Sequence, residues 1–225
     1  MDATTYRFLI GDTETTGFPP GAKVCEFALI EIDADLNVLE TWETLVNPGI
    51  PIPEKVSLIH GIKDEDVASA SSIEDIFEHD MPRFENVILI AHNVKFDRQF
   101  FAPFMGIVGE LCTLELARKH LPHAPNHKLG TLRAHLDLKV EAGHEAMGDI
   151  LVVLDLLRTL VPMTGRSLAQ MVGASVKPSM LYVMPFGEHK GKPISELPIG
   201  YREWMLRQDI SADLRLTLET LRTMQ

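Results

Sequence analysis

With 225 residues, 45% of them hydrophobic and 24% charged, the chain can bury one sizeable core, and its composition excludes a disordered or low-complexity protein. A net charge of -11 speaks against a coat-like nucleic-acid binder, which needs a basic footprint, and Cys25 and Cys112 are too few for a disulfide framework or a zinc site. The first residues lack a signal peptide's basic and apolar segments, and no apolar run approaches the roughly 18 residues of a membrane span, so a cytoplasmic protein without a membrane partner is expected.

Tyr6 to Gly11 predicts a short buried strand that ends in an acidic turn, Asp12-Thr13-Glu14-Thr15-Thr16-Gly17. Val24 to Asp33 and Val38 to Val46 alternate as two strands of a hairpin, and prolines at 48, 51 and 53 close that unit. Helical stretches at Pro53 to Ile59 and Ile73 to Phe84 precede an apolar strand, Val87 to Ala91, which leads into a helix reaching about Phe104. Further helices are predicted at Thr113 to His120, at Leu129 to Leu136 and from Glu145 to Leu160. The last of these has Ile150, Val153, Leu154, Leu157 and Val161 as its apolar face, and Pro162 to Gly165 ends the domain. The pattern is α/β, a sheet with an antiparallel part and parallel additions. A domain over 1–162, a linker with a short helix over 163–180 and a small α+β module over 181–225 are expected. That module holds six of the 21 Lys and Arg but only six of the 32 Asp and Glu, so it offers side-chain phosphate contacts the best chance.

Asp12 and Glu14 are two residues apart, and side chains at that spacing on a strand project to one side, so both carboxylates can grip one hard cation such as Mg2+ or Mn2+. A solvated acidic turn is the alternative. Asn93 and Asp97 mark the junction where a strand's carboxyl end becomes a helix, a common ligand position in open α/β sheets. Asn93 suits a side-chain helix cap, and Asp97, one turn on, is either a further ligand or a favourable first-turn charge. Asp149 sits on the apolar side of the last helix between Met147 and Ile150, where an unpaired charge is costly and a metal would neutralise it. His144 falls about 140° around such a helix from Asp149 and makes more sense in the preceding loop.

These segments, DTETTG, AHNVKFD and HEAMGD in that order over about residues 5–160, resemble the motifs of the DEDDh exonucleases. The resemblance implies a ribonuclease H-like fold with a mixed five-stranded sheet flanked by helices. It implies two divalent cations, Mg2+ or Mn2+, held by Asp12, Glu14, Asp97 and Asp149, with His144 as general base for a 3′-to-5′ release of nucleoside 5′-monophosphates. Thr15, Thr16 and Gly17 would meet the terminal nucleotide through backbone groups, and His60 matches a motif lying beside the terminal sugar and base, unless it is a plain helix-terminal histidine. Phe18, apolar in an exposed loop, suits stacking on a terminal base. Phe96 either packs on a base or joins the core.

Met184 to Pro193, Tyr201 to Met205 and Leu214 to Leu218 resemble the C-terminal segment of a bacterial DNA exonuclease of that family, which favours DNA 3′ ends as the partner and a role in repair or end processing. Lys190 and Lys192 there form a glycine-flanked turn that either presents cations to phosphate or is a solvated hairpin tip. Trp204 and the leucines read as core. An exoribonuclease acting on short RNA, or a polymerase-associated proofreading or scaffold subunit, is the alternative. Protein partners are not indicated.

Overall fold

The central strand β1 (Arg7–Thr15) pairs in antiparallel register with β2 (Val24–Ile32), which pairs with β3 (Val38–Leu45) as a hairpin. On its other side β1 runs parallel to β4 (Val87–Ala91), which runs parallel to β5 (Ile107–Cys112), giving the sheet order β3-β2-β1-β4-β5. Between the strands lie α1 (Glu54–His60), α2 (Asp64–Val67), α3 (Ile73–His79) and α4 (Val94–Phe101); α5 (Thr113–His120), α6 (Leu129–His135), α7 (Ala146–Thr164) and α8 (Leu168–Val172) follow. This computed structural model describes residues 6–140, 146–172, 183–184, 187–208, 210 and 212–223. The chain forms two compact units, Met1–Ser175 and Val176–Gln225. Helix α7 runs on past residue 162, and Gly165, at a φ of 66°, follows its last residue; Pro162 does not break the helix.

The two faces of β1 face different helices. Leu9 belongs to the apolar cluster with Phe27, Leu29, Leu89 and Phe101, and a Cβ at Gly11 would meet the Phe101 ring at 2.9 Å and Leu29 at 3.0 Å. Glycine at position 11 therefore lets α4 lie close against the sheet one residue before Asp12. Alternation puts Phe8, Ile10, Asp12 and Glu14 on the opposite face. Helix α7 packs on β1 and β2 and buries Ile150, Val152, Val153, Leu154, Leu156, Leu157 and Leu160, an apolar surface wide enough to meet both the sheet and α5 and α6.

In the second unit Val183 bridges to Pro193, followed by a 3₁₀ turn and helices α9 (Ile199–Met205) and α10 (Ala212–Thr223). Leu214 and Leu218 are buried there with Met184, Ile194 and Met205. Trp204 is not core as expected: it is 52% exposed, its ring tilted against Tyr201. Among the described residues no helix is long and apolar enough to cross a membrane.

Candidate active site

The acidic signature lies inside β1 rather than in a turn beyond it. Strand pairing continues to Thr15, opposite Val24, and only then does the chain leave the sheet. Antiparallel pairing with β2, Asp12 opposite Ala28 and Glu14 opposite Glu26, holds this part of β1 extended, so Asp12 and Glu14 share a face as the spacing requires.

Asp97, in the first turn of α4, is 2% exposed, and its Oδ1 accepts two hydrogen bonds from Thr13: one from the backbone N–H at 3.1 Å and one from Oγ1 at 2.9 Å. Residue 13 thus points away from Asp12 and Glu14 yet holds the third carboxylate to the same strand. Asn93 occupies the cap position of α4, but its side chain makes no capping bond. It adopts the left-handed conformation (φ 81°), and its carbonyl accepts from Phe96 N–H at 2.8 Å. The expected side-chain cap is replaced by a sharp backbone turn, a conformation that asparagine tolerates better than most residues.

Crowding shows in the proton affinities. Burial, then the charges of Asp97, Asp149, Glu14 and Glu26, pushes Asp12 well above the usual carboxylate range. Glu14 is raised to about 8 by burial and by Asp149, Glu26 and Asp97. Asp97 reaches about 7 through burial, against the Thr13 bonds that favour its ionised form. Asp149, in the first turn of α7, is half-buried and contributes to the shifts at Asp12 and Glu14. His144 lies outside the described residues.

Sequence reasoning does not single out Glu26. Pairing sets it directly opposite Glu14; it is buried, and its Oε2 accepts from the backbone N–H of Ala146, the first residue of α7, at 3.0 Å. The available signal is a charge inside the apolar run Val24-Cys25-Glu26-Phe27-Ala28.

After β1 the chain bends sharply. Thr16 N–H donates to Lys23 O at 2.8 Å, Lys23 N–H donates to Thr16 Oγ1 at 3.0 Å, and Thr15 Oγ1 donates to Gly17 O at 2.7 Å, closing the loop from 16 to 23. Gly17 has a φ of 147°, and nothing stands within 4 Å of where its Cβ would be, which leaves open room for a ligand beside that backbone. Phe18 projects from this loop, 86% exposed, its ring edge-on to Phe96 at 6.0 Å. Phe96 is half-buried and also meets Phe100 at 5.4 Å, so it belongs to a surface aromatic group rather than the core.

His60 ends α1 and is buried. Its Nδ1 accepts from Ile62 N–H at 3.1 Å, which leaves the proton of the neutral ring on Nε2, 3.8 Å from Cys25 Sγ. Burial lowers its pKa, and a hydrogen bond with the Thr15 backbone works the other way. Cys25 and Cys112 are buried free thiols, the first pushed up to about 12 by burial, which makes it inert. In the second unit Lys190 and Lys192 are exposed on the turn joined by Met184 N–H to Lys192 O and Gly191 N–H to Met184 O, both 2.8 Å; Lys192 Nζ lies 3.1 Å from His189 Nδ1.

Among the described residues no three His, Cys, Asp or Glu side chains are grouped tightly enough to hold a metal ion as they stand. Asp12, Glu14, Asp97 and Asp149 nonetheless form an all-oxygen donor set in which the neighbouring charges raise the pKa of Asp12 and Glu14, the electrostatic condition that a hard divalent cation relieves.

Residues 9–157 match the exonuclease family profile of RNase T type. The chain belongs to this exonuclease family. It is 29% identical to Exodeoxyribonuclease 10 of Escherichia coli strain K12, over 92% of this chain and 95% of that protein. A DNA polymerase III subunit epsilon-like protein of Rhodobacter capsulatus is 33% identical over 69% of this chain but only 24% of its own length. Among solved structures, Exonuclease X in complex with 5′ overhanging duplex DNA superposes with a TM-score of 0.63 at 28% identity, covering 74% of this chain and 98% of that one. Exonuclease I of Escherichia coli with a dT13 oligonucleotide shares the fold, with a TM-score of 0.59 at 21% identity over 72% of this chain and 43% of that one. As an exonuclease, the protein is a hydrolase of phosphodiester bonds.

Proposed function

We propose that this exonuclease removes nucleotides from DNA 3′ ends in the 3′-to-5′ direction, releasing nucleoside 5′-monophosphates, in cytoplasmic DNA repair or end processing. The observation that carries the reading is the set of carboxylates from β1 and α4, half-buried Asp12 and Glu14 with buried Asp97, all of raised proton affinity, with Asp149 of α7 among the charges that raise Asp12 and Glu14. DNA is favoured over RNA because similarity to Exodeoxyribonuclease 10 extends over 92% of the chain, well past the catalytic motifs and into the second unit.

In this reading Asp12, Glu14, Asp97 and Asp149 hold two divalent cations, Mg2+ or Mn2+. Such cations supply an activated water and stabilise the departing 3′ oxygen. Thr13 favours the ionised form of Asp97 and aims it through its two hydrogen bonds. His144 takes the proton of the attacking water on a ring nitrogen, work suited to an ordinary pKa near 6.5. The open backbone at Gly17 admits the terminal nucleotide, His60 steadies Thr15 behind it, Phe18 with Phe96 stacks on the end of the strand, and Asn93 lines the same edge. Residues 163–180 serve as a connection, and Lys190 and Lys192 of the module over 181–225 meet phosphate.

The test is nucleotide release from matched DNA and RNA oligomers, labelled at either end, with Mg2+ or Mn2+ and with Asp12→Ala as control. Monophosphates from the DNA 3′ end that vanish in Asp12→Ala are expected. Preferential release from RNA would overturn the substrate, and no release from any 3′ end would overturn the mechanism.

A further inference from the structure

Glu26 is a buried carboxylate in the middle of a sheet, and its position is specified from two directions. Strand pairing places it opposite Glu14 on the face of β1 and β2 that α7 covers. Its Oε2 reaches across 120 residues of sequence to the N–H of Ala146 at 3.0 Å, a buried bond. That amide is one of the first four of α7, which have no partner within the helix. A carboxylate satisfies it and also meets the positive end of the helix dipole. Burying a fifth carboxylate beside Asp12, Glu14, Asp97 and Asp149 is costly, since Glu26 is among the charges that push Asp12 and Glu14 upward. A residue that served only to fill the sheet would be apolar there, as Phe27 and Ala28 are.

We propose that Glu26 is a positioning residue whose carboxylate tethers the N-terminus of α7 to the sheet and thereby sets where Asp149 stands relative to Asp12 and Glu14. This rests on the nuclease reading above. The lever is short. Asp149 is three residues beyond Ala146, about 4.5 Å along the helix, so any slip of the first turn is passed to it almost undiminished. A displacement of about 1 Å at a reacting centre costs on the order of 100-fold in rate.

Glu26→Ala removes the acceptor, whereas Glu26→Gln keeps a carbonyl oxygen at the same reach without the charge. Glu31→Gln is the control: Glu31 lies on the same strand but pairs with Arg7 at 2.7 Å, away from the site. In Mn2+, Glu26→Ala is expected to lower kcat roughly 10- to 100-fold with the KM for DNA changed by less than about threefold, because the groups that meet DNA are untouched. Glu26→Gln should restore most of kcat, and Glu31→Gln should match the wild type. Hydrogen exchange at the Ala146 amide should quicken by about tenfold in Glu26→Ala and stay slow in Glu26→Gln. Full kcat in Glu26→Ala, or an Ala146 amide that exchanges as in the wild type, overturns the proposal. So does a Glu26→Gln variant that keeps the amide slow but is as inactive as Glu26→Ala, since charge rather than tethering would then be at work. If the wild type releases no nucleotide in any metal, the nuclease reading fails, and the exchange result alone decides the tether.

Discussion

Metal-free protein should lose stability as pH rises through the neutral range, and a divalent cation should cancel that loss. Glu14 is raised from 4.5 to about 8 and Asp97 from 3.8 to about 7, both chiefly by burial, and Asp12 is raised with them. In an unfolded chain all three are ionised well below neutrality, so the folded protein holds protons that the unfolded chain has already released. An acid with a raised folded pKa supports the fold fully below its unfolded pKa and withdraws that support as pH climbs through the folded value. Each proton so held costs about 1.4 kcal/mol per pH unit. Counting a single proton shared among the interacting carboxylates, a rise from about pH 6.5 to about pH 8 weakens the fold by about 2 kcal/mol, or roughly 4 to 8 °C in melting temperature. The window starts there because His60 and His92, lowered by burial, act in the opposite sense below the ordinary histidine value of 6.5. Thermal melts across this range in EDTA and in saturating Mn2+ make the measurement, with Asp12→Asn as a third sample that should melt higher in EDTA. A melting temperature in EDTA that holds steady or climbs toward pH 8, or an identical slope in Mn2+, would refute the reasoning.

Thr13→Val keeps the β-branched shape in β1 but deletes the hydroxyl 2.9 Å from Asp97 Oδ1. A bond to a charged acceptor is worth about 1.5–3 kcal/mol, so steady-state kcat/KM should fall roughly 10- to 150-fold; a wild-type value would mean that Thr13 does not orient Asp97. Phe18→Ala should leave the melting temperature in place, because Phe18 is 86% exposed. Stacking on a base contributes about 1–3 kcal/mol, so the KM for duplex DNA ends should rise roughly 5- to 150-fold, and unchanged activity on those ends removes Phe18 from the substrate site. Replacing Lys190 and Lys192 together by Ala should flatten the dependence of log KM on log salt by about 0.7–0.9 for each phosphate no longer neutralised, and an unaltered slope leaves this turn a solvated hairpin tip.

The elements whose limits agree best between sequence and structure are those with the strongest patterns. Val87–Ala91 is apolar throughout and becomes a fully buried parallel strand, and Thr113–His120 has a clear helical period. Strand β5 escapes sequence reasoning because Gly109 and Glu110 interrupt it and because, as an edge strand, it leaves its first four residues partly or largely exposed. Helix α2 is a single turn of four residues, too short for any period to register. Size alone would send Trp204 to the core, but the small second unit closes its core around Met184, Leu214 and Leu218 and leaves the indole outside.

Asp149 is legible in the sequence because a charge on the apolar side of a helix has no ordinary structural purpose, and Asp12, Glu14 and Asp97, each of which has an ordinary alternative, become legible beside it in the ordered motifs. Glu26 meets the same condition, in a strand whose neighbours are all buried, and still does not stand out. The reason is that Glu31, five residues on in the same strand, looks equivalent in sequence. Pairing separates them: Glu26 faces Glu14 and the start of α7, while Glu31 faces Leu9 along β1 and pairs with Arg7 at the far end of the sheet. A charge inside an apolar strand therefore flags an exception to the pattern, but only the register between strands tells which exception belongs to the site.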